Sequence, residues 1–222
     1  MNYYSVIQED TLSEALHYAL ERKKVTRIRK LIAAGADVNI PDPQGYHLLT
    51  KALIMGRSDI VKILLDAGAN IKHAVNERKT NVLCDVILHN DVYLVDLLIN
   101  NGADVQSPNI YGFTPLMYSS YRHINIEITR ALLKACASPN TLKDDKTALH
   151  IMANNWDIPK IRLMFDFNVD ATLGAPIKES VGRIFDKEMR KELTPIDEIY
   201  NIICEMLDEY ITGPECKEPG ID

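Results

Sequence analysis

Apolar residues along this chain fall in short runs with helical spacing, and each run is followed by nearly the same polar phrase. KLIAA, ILLDA and LLINN stand before GADVN at 35–39, GANIK at 68–72 and GADVQ at 102–106. Leu31, Ile32, Leu64, Leu65, Leu97 and Leu98 close these runs, and a glycine follows each within a few residues. Glycine reaches the left-handed conformation without a Cβ clash, so each phrase predicts a helix end. The chain should then turn outward and start a new helix. GFTPLMYS at 112–119 supplies such a start: Thr114 can cap, and Pro115 fits the first helical position, where its missing N–H costs nothing.

Two sets of positions keep a common period. A leucine near the start of each predicted first helix recurs at Leu16, Leu49, Leu83, Leu116 and Leu149, at steps of 33, 34, 33 and 33. The helix-ending position recurs at Gly35, Gly68, Gly102, Cys136 and Asn168, at steps of 33, 34, 34 and 32. Five units of helix, turn, helix and outward loop follow from this double register.

That period resembles the ankyrin repeat. GYHLLTKA (45–52), SDIVKILLDAGAN (58–70), GFTPLMYS, ITRALLKACASPN (128–140) and KTALHIMA (146–153) carry the resemblance, over roughly residues 8–172. It implies an all-α solenoid with repeats near 8–40, 41–73, 74–107, 108–141 and 142–172. Local departures are expected. Cys136 and Asn168 stand where glycine is usual, and Cys there should be mildly strained. KTNVLCDV (79–86) lacks the Thr-Pro start, so the first helix of the third unit should fray. Trp156 and Pro159 should disturb the turn of the fifth.

Bulk properties narrow the function classes. With 222 residues and 46% hydrophobic content, the chain can bury a sizeable core. No apolar run is long enough for a membrane span, and MNYYSVIQEDTLSEAL lacks the basic-then-apolar layout of a secretion signal. A net charge of −6 argues against phosphate-backbone binding. Neither nucleic acid nor membrane is therefore an expected partner. Cys84, Cys136, Cys204 and Cys216 have neither metal spacing nor a disulfide framework, which fits reduced thiols inside a cell. The cytoplasm is the expected location. The basic stretch ERKKVTRIRK (21–30), on the second helix of the first unit, reads as a solvated face, with nuclear import or an acidic partner as its alternative.

Catalysis is not expected. No histidine pair lies at i and i+4 on one helix, and no phosphate loop or nucleophile elbow occurs, so neither metal nor cofactor is implied. His17 and His150 follow the aligned leucine, where the resemblance implies a loop-bonding histidine. The repeat architecture points instead to recognition by a monomer of a protein partner of unknown identity, through first helices and loop tips. The resemblance places Tyr46 and Met55 of the second unit, Leu88 and His89 of the third, and Tyr111, Phe113, Tyr121 and Arg122 of the fourth on that surface. Glu77, Arg78 and Thr80 and, in the fifth unit, Lys143, Asp144 and Lys146 flank them. Aromatics and arginine are enriched at binding hot spots, so the fourth unit is the expected centre. The competing expectation is that Phe113 or Tyr121 packs on a neighbouring loop.

Two further sites are expected from resemblance. Asn39, with Asp-Val before it and Leu31 eight residues upstream, is similar to asparagines hydroxylated in ankyrin repeats; the alternative is an unmodified side chain holding its turn. After residue 172 the rhythm breaks. Residues 173–192 read as a linker with Val181, Ile184, Phe185 and Met189 on one side of an amphipathic helix, and 213–222 as a disordered tail. LTPIDEIYNIICEMLDEYI, within 193–212, reads as a capping helix or, by resemblance, as an F-box-like segment that would present Ile199, Ile203 and Leu207 to a ubiquitin-ligase adaptor. Solvent exposure of those three favours docking, and burial favours the cap.

Overall fold

The computed structural model describes residues 3–73, 83–174, 176–177 and 196–212, with side chains for 12–72, 83–174, 176–177 and 201–211. Helices account for the regular structure of these residues, and the one strand-like feature is an isolated bridge between Lys143 and Lys146. Helix pairs follow one another: α1 (Tyr3–Glu21) with α2 (Val25–Ala33), α3 (Leu48–Ile54) with α4 (Ser58–Asp66), and α5 (Leu83–Ile87) with α6 (Val92–Asn100). Then come α7 (Pro115–Ser119) with α8 (Ile126–Lys134), α9 (Ala148–Asn154) with α10 (Ile158–Phe165), and a last helix, α11 (Ile196–Thr212). The chain divides into two compact units, Met1–Tyr111 and Gly112–Asp222. In the first, α1 packs on α3, α3 on α5 and α4 on α6; in the second, α7 packs on α9, α8 on α10 and α10 on α11.

The repeated phrase is a complete set of local bonds. Gly35, Gly68 and Gly102 are left-handed, with φ of 92°, 85° and 83°, and Cys136 and Asn168 take the same place at 62° and 54°. The residue after each of the first four donates its N–H five residues back, Ala36 to Leu31, Ala69 to Leu64, Ala103 to Leu98 and Ala137 to Leu132, at 2.9–3.0 Å. This closes the helix with a Schellman motif and satisfies its last carbonyls. The next polar residue folds an Asx turn: Asp37, Asn70, Asp104 and Asp170 accept from the N–H two residues on, at 2.8–3.0 Å. The Ala and Val between them turn inward, and Ala36, Val38, Ala69, Val105, Ala137 and Val169 are buried. Apolar burial and backbone satisfaction therefore specify the same five letters.

The aligned leucines Leu16, Leu49, Leu83, Leu116 and Leu149 are all fully buried. Caps explain several helix starts. Thr114 accepts from Met117 N at 3.3 Å, Asp91 from Leu94 N at 3.0 Å and Asn125 from Glu127 N at 3.0 Å. At the start of α9 the His150 side chain reaches back to the cap residue: Thr147 N donates to His150 Nδ1 at 3.1 Å, and the same ring nitrogen meets Thr147 Oγ1 at 2.9 Å.

Two expectations change, and one leucine that closes an apolar run lies outside the core. The turn inside the fifth unit is not disturbed: Trp156 is left-handed at φ 58°, as Lys23, Gly56 and Asn90 are at the matching places, and Pro159 sits in the first turn of α10. In α5, Leu83, Cys84, Val86 and Ile87 are buried, so its described part is packed rather than frayed; residues 74–82 lie outside the described residues. Leu97 is half-exposed, and the core of α6 is made by Leu94, Val95 and Leu98. The amphipathic positions Val181, Ile184, Phe185 and Met189, and the tail 213–222, also lie outside the described residues.

Candidate protein-binding surface

In the first unit the loop into α3 is held by one carboxylate. Asp42 Oδ1 accepts from Gln44 N at 3.0 Å and Tyr46 N at 2.8 Å, while Gly45 supplies the left-handed residue at φ 88°. The other oxygen pairs with Lys51 Nζ at 2.5 Å, and Lys51 reaches Glu21 on α1 at 3.1 Å. Burial raises the Asp42 pKa, but the Lys51 hydrogen bond and charge and the two backbone N–H groups outweigh it, so the carboxyl lies below its ordinary value. Tyr46 is half-buried beside this turn, and Met55 is half-buried at the end of α3. One repeat on, Leu88 is exposed, and the His89 ring lies against the Gly56 turn, with Nδ1 3.6 Å from where a Cβ would stand. Tyr111, 59% exposed, takes an Asx turn from Asn109 at 2.9 Å.

In the second unit Phe113 and Tyr121 are joined through Tyr118 and extended by His123. Phe113 meets Tyr118 edge-on with centroids 6.0 Å apart, Tyr118 meets Tyr121 at 6.0 Å, and Tyr121 stacks on His123 at 6.1 Å. Lys143 Nζ lies 5.0 Å over the Phe113 ring, and the Lys143 stem covers Gly112. Phe113 and Tyr121 are half-buried and Arg122 is exposed. The sequence pattern does not single out Tyr118; the signal that could have found it is an aromatic three residues before Tyr121. Lys143, expected as a charged flank, instead covers an aromatic ring. The turn carrying Tyr121 has one residue more than its counterparts: Leu116 to Ile128 is 12 positions, whereas Leu49 to Ile60 and Leu83 to Leu94 are each 11. Glu77, Arg78 and Thr80 lie outside the described residues.

Asn39 spends both ends of its amide on the next repeat. Its Nδ2 donates to the Gly68 carbonyl at 3.0 Å, and its Oδ1 accepts from Asn70 N at 2.8 Å. Asn140 makes the same bridge to Asn168 and Asp170. On α11, Ile203 and Leu207 are 1% and 2% exposed, and Tyr210 stacks on Phe165 of α10 at 4.4 Å. The docking arrangement needs those two side chains at the surface; they are instead packed away. The Ile199 side chain lies outside the described residues. Among the described residues no group of acids, histidines and cysteines could hold a metal ion, and no helix is long and apolar enough to cross a membrane.

Comparison with known proteins agrees with this construction. The family model for ankyrin repeats, in three copies, matches residues 5–75 and 83–174. An ankyrin repeat protein of fowlpox virus (strain NVSL), FPV024, is 34% identical over 107 residues, covering 48% of this chain and 18% of the viral one. The palmitoyltransferase ZDHHC13 of Danio rerio is 28% identical over 199 residues, covering 73% of this chain and 31% of its own. The nuclear factor NF-kappa-B p105 subunit of Gallus gallus is 26% identical over 159 residues, covering 69% of this chain and 16% of its own. The chain thus spans less than a third of the length of each of these relatives. With the family match extending over well over half of its residues, the chain belongs to the ankyrin-repeat family of protein–protein interaction modules.

Proposed function

We propose that the chain is a non-catalytic binding module that captures or masks a protein partner through its loop tips and first helices, with the fourth repeat as the centre. The observation that carries this reading is the joined set Phe113, Tyr118, Tyr121 and His123 in the second unit, where Arg122 is exposed; Tyr111, the last residue of the first unit, is exposed as well. Packing gains little from an exposed tyrosine at a loop tip, whereas rigid aromatics and arginine dominate binding energy at protein interfaces. The half-burial of Phe113 gives it a second role, since its ring also props Tyr118. Attachment to a ubiquitin-ligase adaptor would need Ile203 and Leu207 at the surface, and their burial speaks against it.

The test is affinity capture from cell lysate with quantitative mass spectrometry, comparing the wild-type chain with Tyr111→Ala and Arg122→Ala. Both side chains are exposed, so both variants should melt like the wild type. Captured partners should fall about tenfold or more, the effect of truncating a central anchor. Unchanged capture by both variants would remove the fourth repeat as the centre.

A further inference from the structure

Within the first unit, a cleft of ≈ 440 Å³ lies between α1, the loop into α3 and α3 itself, and no residue of the aromatic set lines it. His17 lines it and is 7% exposed. The ring is held from one side: Nε2 lies 2.9 Å from the Ile40 carbonyl. A carbonyl only accepts, so Nε2 carries the hydrogen and Nδ1 of the neutral ring is a lone-pair acceptor. That Nδ1 is buried and has no hydrogen-bond partner.

His150, at the matching repeat position, has its Nδ1 occupied by Thr147. The difference traces to the residue three places earlier. Thr147 precedes α9, so its N–H lies outside the helix ladder and its hydroxyl faces the ring. Glu14 lies inside the 19-residue α1, where its N–H belongs to the helix. Extending the first helix toward the N-terminus thus removes the partner that the repeat would otherwise supply. A buried acceptor left unmade is destabilising, and such groups call for an explanation.

The surrounding groups say what would complete it. Glu14, Glu21 and Asp42 line the cleft against one cation, Lys51, which is already shared between Glu21 and Asp42. Glu14 makes no ion pair among the described residues and is exposed. Tyr18 is also exposed, and the Arg22 guanidinium lies 5.2 Å from its ring centre, a second cation at the rim that an incoming guanidinium would displace or stack beside. The wall thus offers acceptors, net negative charge and an aromatic ring. A guanidinium offers five donors in a plane, full charge and no acceptor.

We propose that this cleft takes an arginine side chain of a protein partner, whose N–H groups are received by His17 Nδ1 and the Glu14 carboxylate, with Tyr18 alongside. Nδ1 is covered in the unliganded chain. Seating the group therefore requires side chains of the cleft wall to rotate, a motion open to the exposed Glu14 and Tyr18 as surface rotamers. An arginine within a peptide fits better than free arginine, whose α-carboxylate would meet the same three acids. The site is separate from the aromatic centre, and its failure would leave that reading standing.

The probe is N-acetyl-arginine methylamide, titrated into the full ¹⁵N-labelled chain at slightly alkaline pH, where imidazole is neutral. Long-range ¹H–¹⁵N spectra report the ring nitrogens. The expected result is a saturable shift of His17 Nδ1 with His150 unmoved. It should weaken roughly threefold or more in Glu14→Gln, the loss of one charge-assisted bond, and free arginine should bind more weakly than the amide. Tyr18→Ala, also exposed, should weaken it as well. A shift that does not saturate, or an equal one from N-acetyl-norleucine methylamide, would overturn the proposal. So would saturable binding that Glu14→Gln and Tyr18→Ala both leave unchanged.

Discussion

Lys160 Nζ donates to the Tyr121 carbonyl at 2.8 Å and lies 3.1 Å from Asp157, while only 2% of the Lys160 residue is exposed. In the repeat register Lys160 occupies the place of Ile60, Leu94 and Ile128, which are wholly buried apolar residues. A cation here is tolerated because the longer turn of the fourth repeat points a backbone carbonyl at it and Asp157, the cap of α10, neutralises it. The bond also fixes the backbone under Tyr121, and so links the core to the proposed surface. Asn155 Nδ2 makes a parallel contact to the Ser120 carbonyl at 3.1 Å.

Lys160→Ala should therefore cost about 2–5 kcal/mol, since it removes a packed stem and strands a carbonyl. Lys160→Met keeps most of the stem and should cost less, roughly 1–3 kcal/mol, for the unpaired Tyr121 carbonyl and Asp157. Urea unfolding of both variants checks the order. Equal losses would mean that the ammonium, and not the packing, carries the effect.

The period, the helix ends and the five aligned leucines were all legible, because the left-handed helix end and the buried leucine each admit few residue types. The second left-handed turn was not. Lys23, Gly56, Asn90 and Trp156 share a conformation but no chemistry, so no letter marks it. Nor could a run such as YLVDLLIN say which of its leucines faces inward; two adjacent leucines differ by 100° around a helix, and only the neighbouring repeat decides. For the surface, Tyr111 and Phe113 stood out as aromatics at a loop tip, and Tyr121 and Arg122 as residue types enriched at binding hot spots. Tyr118 and Lys143 did not, since their part in the set depends on contacts between the first helix and the next loop.

Those adjacent leucines allow a paired test. Leu98 is fully buried and Leu97 half-exposed on α6. Leu98→Ala should cost about 2–5 kcal/mol by lost burial and cavity formation. Leu97→Ala should cost less than half as much, because its site opens toward solvent and leaves little cavity. Thermal and urea unfolding of the two variants would separate them. A larger loss from Leu97→Ala would place the core on the other edge of α6.

The Asp42–Lys51 pair gives the first unit a pH signature. Asp42 has its pKa lowered from 3.8 in the folded chain, so its contribution is complete above that value and drains away as pH falls through the folded one. Lys51 behaves in the opposite sense. Burial alone would lower its pKa, but Asp42 and Glu21 raise it above 10.5, so its contribution is complete below that value and is lost as pH rises through the folded one. Asp42→Asn should cost roughly 1.5–3 kcal/mol at neutral pH and shallow the acid limb of the stability curve. It should not abolish that limb, because hydrogen bonds from Ser107 and Thr172 also hold Asp104 and Asp170 below their ordinary value. An acid limb as steep as the wild type's would show that Asp42 is not among the groups that set it.

Two cysteines at different points of the repeat should differ sharply in reactivity. Cys84 is fully buried in α5; burial, with the Asp85 charge behind it, pushes its thiol up to about 12. Since the thiolate is the nucleophile, Cys84 should resist alkylation at neutral and mildly alkaline pH in the folded chain. Cys136 stands at a helix end with φ 62°, and its side chain is exposed to reagent. Pulse labelling with iodoacetamide, read by site-resolved mass spectrometry, should modify Cys136 first. Labelling of Cys84 should follow urea unfolding of its surroundings and so report the opening of α5. If Cys84 is labelled well before the unfolding transition, the third repeat opens locally and is the weak joint of the first unit. The same helix end carries a stability prediction. Cys136→Gly relieves a left-handed side chain and should stabilise the chain by about 1 kcal/mol, less the greater entropy of glycine in the unfolded chain. A net loss would mean that the Cys136 side chain makes contacts worth more than the strain it bears.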